Sequence, residues 1–241
     1  MMEKLLDENV LRCKTAENNI KRIRFEIEET CVKSGRNPLD IKLLAATKTV
    51  PYQIINHCIL NGLDLIGENR VQEFLGKYDN LCLSKCDCHF IGTLQTNKVR
   101  KIIDKVNMIQ SVNSIKLAKE ISRLSTNLGI NMKILLEVNI GKEKSKSGIL
   151  PEMLEETIIE ISKMSSIKVC GLMCIPPICR KNSLIRKHFL QMRKFFIDIR
   201  DKKLDNINMG ILSMGMSNDF NEAIMEGSNL IRIGSSIFGT R

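Results

Sequence analysis

From Ile41 onward, short apolar runs and helical patterns alternate along the chain. The runs are Ile41–Thr47, Leu63–Gly67, His89–Gly92, Met108–Val112, Lys133–Val138, Lys168–Met173, Met209–Ser213 and Leu230–Ile233. Between them lie stretches such as SIKLAKEISRLSTNLG and LPEMLEETIIEISKM, whose apolar residues recur at helical spacing. Strands separated by helices connect in parallel through βαβ units. An open, doubly wound sheet would alternate too, but this many units in 241 residues suit a closed barrel. The expected fold is therefore α/β, a (β/α)8 TIM-type barrel. It is preceded by an extra helix over residues 3–34, with Leu6, Val10, Cys13, Ala16, Ile20, Ile23, Ile27 and Cys31 on its apolar stripe and Gly35 and Pro38 ending it. No linker or low-complexity segment divides the chain, so residues 1–241 are expected to form a single domain, with 1–40 a helical extension.

Composition narrows the setting. No apolar run reaches the length of a membrane span, and the N-terminus mixes charges throughout where an export signal would be uninterruptedly apolar. A soluble, cytoplasmic protein is expected. The nine cysteines are odd in number and unevenly spaced, which fits reduced thiols. Cys82, Cys86, Cys88 and His89 cluster but lack a paired C-x-x-C knuckle, so no metal is expected. The net charge of +10 is concentrated in residues 180–203, where Arg186, Arg193 and Arg200 share a helix face opposite Ile185, Phe189, Met192, Phe196 and Ile199. No aromatic platform or nucleic-acid motif accompanies them. They read as a solvated face, with neither nucleic acid nor a membrane as partner.

In such barrels functional groups gather where strands finish. Lys48 follows the first strand, Glu68 and Asn69 the second and Asn139 the fifth, while Ser213 ends the seventh and Arg232 lies near the end of the eighth. His89 begins the third strand as read here. Lys48 stands out, because lysine is seldom enclosed without a partner. A lysine walled by an apolar strand and loops would have its charged form disfavoured, and a neutral amine is what Schiff-base chemistry with a carbonyl compound requires. The segments SMGMSND and RIGSSIFG follow strands seven and eight, where barrels often bind phosphate. They supply Ser213, Gly215, Ser217, Gly234, Ser235 and Ser236: glycines for close backbone approach and hydroxyls as donors, beside helices starting just downstream. Together these features suit a phosphorylated carbonyl compound.

The ordered motifs ATKTVP, IGENRVQEF, HFIGTLQTNK, EVNIGKEKSKSG, GLMCIP, SMGMSND and RIGSSIFGTR resemble those of the pyridoxal-phosphate homeostasis proteins, whose barrel is similar to the N-terminal domain of alanine racemase. The resemblance runs from about Ile41 to Arg241. It implies that Lys48 carries pyridoxal 5′-phosphate (PLP) as a Schiff base, that the Ser213–Ser217 and Gly234–Ser236 segments hold the phosphate, and that Arg232 lies near the pyridine nitrogen. Asn69 and His89 are expected near the ring. Thr47, Arg70 and Cys88 stand where serine, tyrosine and tryptophan are common in the family; none of these removes a proposed cofactor contact, and Arg70 alters the rim.

The resemblance implies a carrier that keeps PLP sequestered and supplies PLP-dependent apo-enzymes. The alternatives are a PLP-dependent amino-acid racemase or, less favoured, an aldolase using Lys48 alone. The sequence after strand eight, SSIFGTR, leaves little room for a racemase's second domain, and neither Tyr52 nor Tyr78 sits where its tyrosine base would. A non-enzymatic carrier is the expectation.

Overall fold

The computed structural model describes residues 2–178 and 182–239, with side chains described from residue 8 onward. Cys179, Arg180, Lys181 and the terminal Thr240 and Arg241 fall outside the described residues, as does the side chain of Leu6.

Eight parallel strands close into a barrel in sequence order. They are β1 (Lys42–Ala46), β2 (Leu65–Glu68), β3 (Asp87–Phe90), β4 (Met108–Val112), β5 (Met132–Val138), β6 (Ile167–Cys174), β7 (Ile207–Ser213) and β8 (Leu230–Ile233). The helices are α1 (Met2–Ser34), α2 (Tyr52–Leu60), α3 (Val71–Lys77), α4 (Ile115–Leu128), α5 (Leu154–Ser162), α6 (Asn182–Asp201), α7 (Phe220–Met225) and α8 (Ser235–Phe238), with a 3₁₀ segment, Thr96–Lys101, between β3 and β4. Local chemistry marks the boundaries. The Ser114 hydroxyl caps α4 by accepting from the Leu117 N–H, and Gly129 closes that helix in the left-handed conformation.

The extra helix occupies a place in the helical ring. Ala16, Ile20, Ile23, Ile27 and Cys31 are buried, and α1 packs on α2, α7 and α8. Val10 is 53 % exposed, so the buried stripe starts later than the periodicity suggests. The Arg36 guanidinium ties the end of α1 to the Ile224 and Ser228 carbonyls at 2.6 Å each. On α6, Ile185, Phe189, Met192 and Ile199 are buried and Phe196 half-buried. Arg186 of the opposite face pairs with Glu226 at 2.7 Å and is thereby tied to the end of α7.

Two cores result. Outward-facing strand residues pack against the helices in one large cluster. The barrel interior is filled only in part by apolar groups: Leu44, Ala46, Leu65, Ile91 and Leu230 in one cluster, Met108, Leu135, Cys170 and Met173 in another. Polar side chains take the remaining interior, which is unusual where bulky branched residues normally dominate. At Gly171 the register with both neighbouring strands slips. Its φ is +152°, and a Cβ there would lie 1.7 Å from the Ile211 carbonyl oxygen, so only glycine lets the strands pass this closely.

Candidate functional site

A cavity of about 560 Å³ opens at the C-terminal mouth of the barrel, lined by Lys48, Asn69, Ser217, Arg232, Gly234 and Ser235 among others, with Ile91, Ile175 and Pro176 as apolar wall. Six of the ten residues singled out from the sequence therefore meet at one place.

Lys48 is half-buried in the turn that follows β1. That turn rests on a buried charged network the sequence did not reveal. The Lys77 ammonium donates to the Thr47 carbonyl at 2.9 Å and pairs with Glu68 at 2.8 Å and Glu73 at 3.2 Å. The Thr47 hydroxyl donates to Glu68, and the Thr49 N–H donates to Glu73. Thr49 has φ +63°, a strained conformation for a β-branched residue, held by these contacts on either side of Lys48. Burial pushes the Glu68 carboxyl up, while Lys77 and the Thr47 hydroxyl pull it back down.

Asn69 is held by close backbone packing. A Cβ on Gly92 would come within 2.0 Å of the Asn69 carbonyl oxygen, which explains the glycine of HFIG. The Asn69 side-chain oxygen is buried and has no hydrogen-bond partner among the described residues. A buried orphan acceptor calls for a partner, and this one belongs to a residue of the cavity wall.

Arg232 is 4 % exposed and rises from the barrel interior into the cavity wall. It donates to the Ser213 hydroxyl oxygen at 2.6 Å and the Cys174 carbonyl at 2.8 Å. Burial works against its charge, and Cys174, Asp219 and Glu137 favour it. The Ser213 hydroxyl donates to Gln110, whose amide donates to His89, both at 2.8 Å. Ser213 thus anchors Arg232 from within and does not line the cavity.

The two glycine- and serine-containing loops stand together opposite this arginine. Gly215, at φ +94°, lets its loop tuck against α7, where a Cβ would meet Ala223 at 2.6 Å. Asp219 accepts the Met216 N–H at 2.6 Å and tightens the same turn. The Ser217 hydroxyl oxygen accepts the Ser236 N–H at 3.3 Å, joining one loop to the other. Ser217 still has its own O–H proton to donate. Ser236 stands behind Ser217 and, like Gly215, shapes the wall without lining it.

His89 does not join the site. β3 starts at Asp87, two residues before the start read from the sequence, and alternation puts both His89 and Ile91 on its inner face. Ile91 reaches the C-terminal mouth, while His89 sits about 7 Å deeper and lines a separate cavity at the opposite mouth. Cys88 points the other way, into the core between barrel and helices, so it and His89 cannot share a metal. Glu137, on the inner face of β5, is a further buried carboxylate that the sequence reading missed, with one oxygen lacking a partner among the described residues. Burial pushes its carboxyl up, countered by Ser147 and Arg232. Asn139 serves its own loop, donating to the Glu143 carbonyl at 2.9 Å.

The closed barrel, with a lysine after β1 and an arginine inside β8 facing one cavity, is of the alanine-racemase N-terminal kind. The family model described as "Alanine racemase, N-terminal domain" matches residues 34–241. Alanine racemase from Corynebacterium glutamicum shares the fold with a TM-score of 0.69 at 14% identity, over 95% of this chain and 61% of that one. Within that class, the chain belongs to the pyridoxal phosphate homeostasis protein family. It is 41% identical over 224 residues to the Pyridoxal phosphate homeostasis protein of Aquifex aeolicus, covering 92% of this chain and 96% of the relative. It is also similar to PipY of Synechococcus elongatus, solved with PLP bound, at 31% identity and a TM-score of 0.78 over 89% of this chain and 100% of that one.

Proposed function

We propose that this protein binds PLP in the C-terminal cavity, with Lys48 linked to it as a Schiff base, and that it serves cytoplasmic PLP homeostasis by supplying the cofactor to apo-enzymes. The observation that carries the reading is that Lys48, Arg232 and the paired Ser217 and Gly234–Ser235 loops face one cavity. The orphan Asn69 oxygen supports the fit, since a polar ligand would satisfy it. No described helix is long and apolar enough to cross a membrane. Residues 1–241 are read as one cofactor-binding domain because α1 packs into the barrel's own ring.

Bound PLP would supply an aldehyde for an amine to capture and a ring that draws electrons. Lys48 provides that amine. Ser217, with the backbone around Gly234 and Ser235, holds the phosphate; Gly215 and Ser236 set the loop shapes, and Ser213 holds Arg232 in place. Arg232 would stand beside the ring nitrogen. An arginine does not give up its proton there, which limits the ring's capacity to stabilise a carbanion.

Ser217→Ala removes one donor to a charged group, worth about 1.5–3 kcal/mol. PLP affinity is expected to fall roughly tenfold to a hundredfold, while the affinity for unphosphorylated pyridoxal hardly changes. Calorimetric titration with both ligands checks this; equal losses would place the fault in the fold or the ring site.

The racemase alternative needs a second base facing Lys48 across the substrate. The two carboxylates of the cavity wall are committed elsewhere: Asp219 to the Met216 N–H and Glu222 to the Asn182 amide, both at 2.6 Å. A positioned acid or base commonly contributes ~10²–10⁴-fold. Loaded protein is therefore expected to exchange the α-proton of alanine in heavy water slowly, without multiple-turnover racemisation, yet to restore activity to a PLP-dependent apo-enzyme. Robust racemisation lost in Lys48→Ala would establish the enzyme instead.

A further inference from the structure

The N-terminal mouth of the barrel holds a second cavity of about 410 Å³, lined by Lys42, Lys133 and Lys168 and by His89, with Asp40 and Asp87 also on its wall. The three lysines stand two residues before Leu44, Leu135 and Cys170, which belong to the interior clusters, so strand alternation turns all three toward the barrel axis. Among the described residues none of the three forms an ion pair or hydrogen bond through its side chain. Bulky branched side chains dominate the interior layers of such barrels. Here lysines from β1, β5 and β6 line one cavity with no ion pair among the described residues, and the like charges favour an anion between them.

His89 lines the same cavity and offers a donor to it. It is 6 % exposed, and its Nδ1 accepts the Gln110 amide N–H at 2.8 Å. That direction is fixed from the far end: Arg232 can only donate, Ser213 passes its hydroxyl proton to the Gln110 oxygen, and the Gln110 amide nitrogen is left to donate to the imidazole. The ring proton of His89 therefore resides on Nε2, which has no partner among the described residues. Burial, with Lys42 and Lys133 adding to it, lowers the His89 pKa to about 3, so the ring is a neutral donor. Asp40 and Asp87, on the same wall, are solvent-exposed.

We propose that this mouth is a binding site for a small dianion, an organic phosphate or a dicarboxylate, gripped by Lys42, Lys133 and Lys168 with the His89 Nε2–H beside them. Its volume suits a metabolite-sized ligand, and the unpaired ammonium groups exclude cations. The site is separate from the C-terminal cavity and does not depend on what that cavity binds.

The chain has three histidines, so imidazole NMR resolves the question in the full-length protein. Inorganic phosphate, glycerol phosphate and malonate are titrated separately at constant ionic strength. The His89 resonance, assigned through His89→Gln, is expected to move saturably while those of His57 and His188 stay in place. A response to the phosphates alone assigns the phosphate class; a response to malonate alone assigns the dicarboxylate class. Lys42→Gln/Lys133→Gln/Lys168→Gln should raise the midpoint at least about tenfold. The lysines are exposed, and the single Lys133→Gln variant gives a milder form of the same test. Absence of any His89 shift up to about 10 mM of each ligand would overturn the proposal. So would a shift undiminished in the triple variant, because the anion would then be acting from the other cavity through Arg232, Ser213 and Gln110.

Discussion

Lys77→Met is expected to destabilise the fold by about 3–5 kcal/mol, the usual cost of stranding one partner of a buried ion pair. Glu68 is fully buried, and one of its oxygens already lacks a partner among the described residues. Without the ammonium at 2.8 Å, only the Thr47 hydroxyl would compensate the remaining charge. The same substitution frees the Thr47 carbonyl, which Lys77 holds at 2.9 Å. The pH dependence follows from the raised Glu68 pKa. A carboxyl whose folded pKa lies above its unfolded value binds more protons when folded, so its contribution is most favourable below the unfolded pKa and is lost as pH rises through the folded one. Removing Lys77 raises the folded value further. Denaturant unfolding should therefore show the deficit largest near neutrality and shrinking on acidification, and Glu68→Gln added to Lys77→Met should recover part of it. A deficit independent of pH, with no recovery in the double variant, would mean that lost packing and not the stranded carboxylate dominates.

Lys48→Ala is expected to have the largest effect on binding. The variant loses the covalent link but keeps Ser217, Gly234–Ser235 and Arg232, so PLP should still bind through its phosphate and ring, at least about a hundredfold more weakly (~2.7 kcal/mol). The visible absorbance of the bound cofactor should give way to that of the free aldehyde, and gel filtration should separate ligand from protein. Fold stability should change little, because Lys48 is half-buried in a turn held by Lys77, Glu68 and Glu73. Retention of colour through gel filtration would mean that another amine captures the cofactor.

The barrel was legible because each strand is a short apolar run between helical patterns, and every strand end falls within two residues of those runs. β3 is the instructive case, with both ends two residues earlier than the run. The polar pair Asp87-Cys88 hid its start, and the placing of His89 near the ring came from the resemblance, since a strand read as starting at His89 already sets it toward the N-terminal mouth. Lys48 and Arg232 could be read because a charge in or after an apolar strand has few innocent explanations. Lys77 could not, because a lysine in the last turn of a helix such as α3 is ordinary, and it acquires its role only when α3 folds back onto the β1 turn. Gln110 and Glu137 left a fainter trace: each sits at an inward-facing position of a largely apolar strand, as the alternation of Lys133, Leu135 and Glu137 allows one to see. The chain from Arg232 through Ser213 and Gln110 to His89 crosses the barrel, and only closure brings β8, β7, β4 and β3 together around one interior.

The most direct test of the central claim is borohydride reduction of PLP-loaded protein followed by peptide mapping. Reduction converts the Schiff base to a stable secondary amine, and the account predicts a single pyridoxyl adduct on Lys48. Lys146 is the rival to inspect first, since it reaches the cavity-wall residue Pro176 by donating to its carbonyl at 3.0 Å. An adduct on Lys146 or any other lysine, with Lys48 unmodified, would contradict the account.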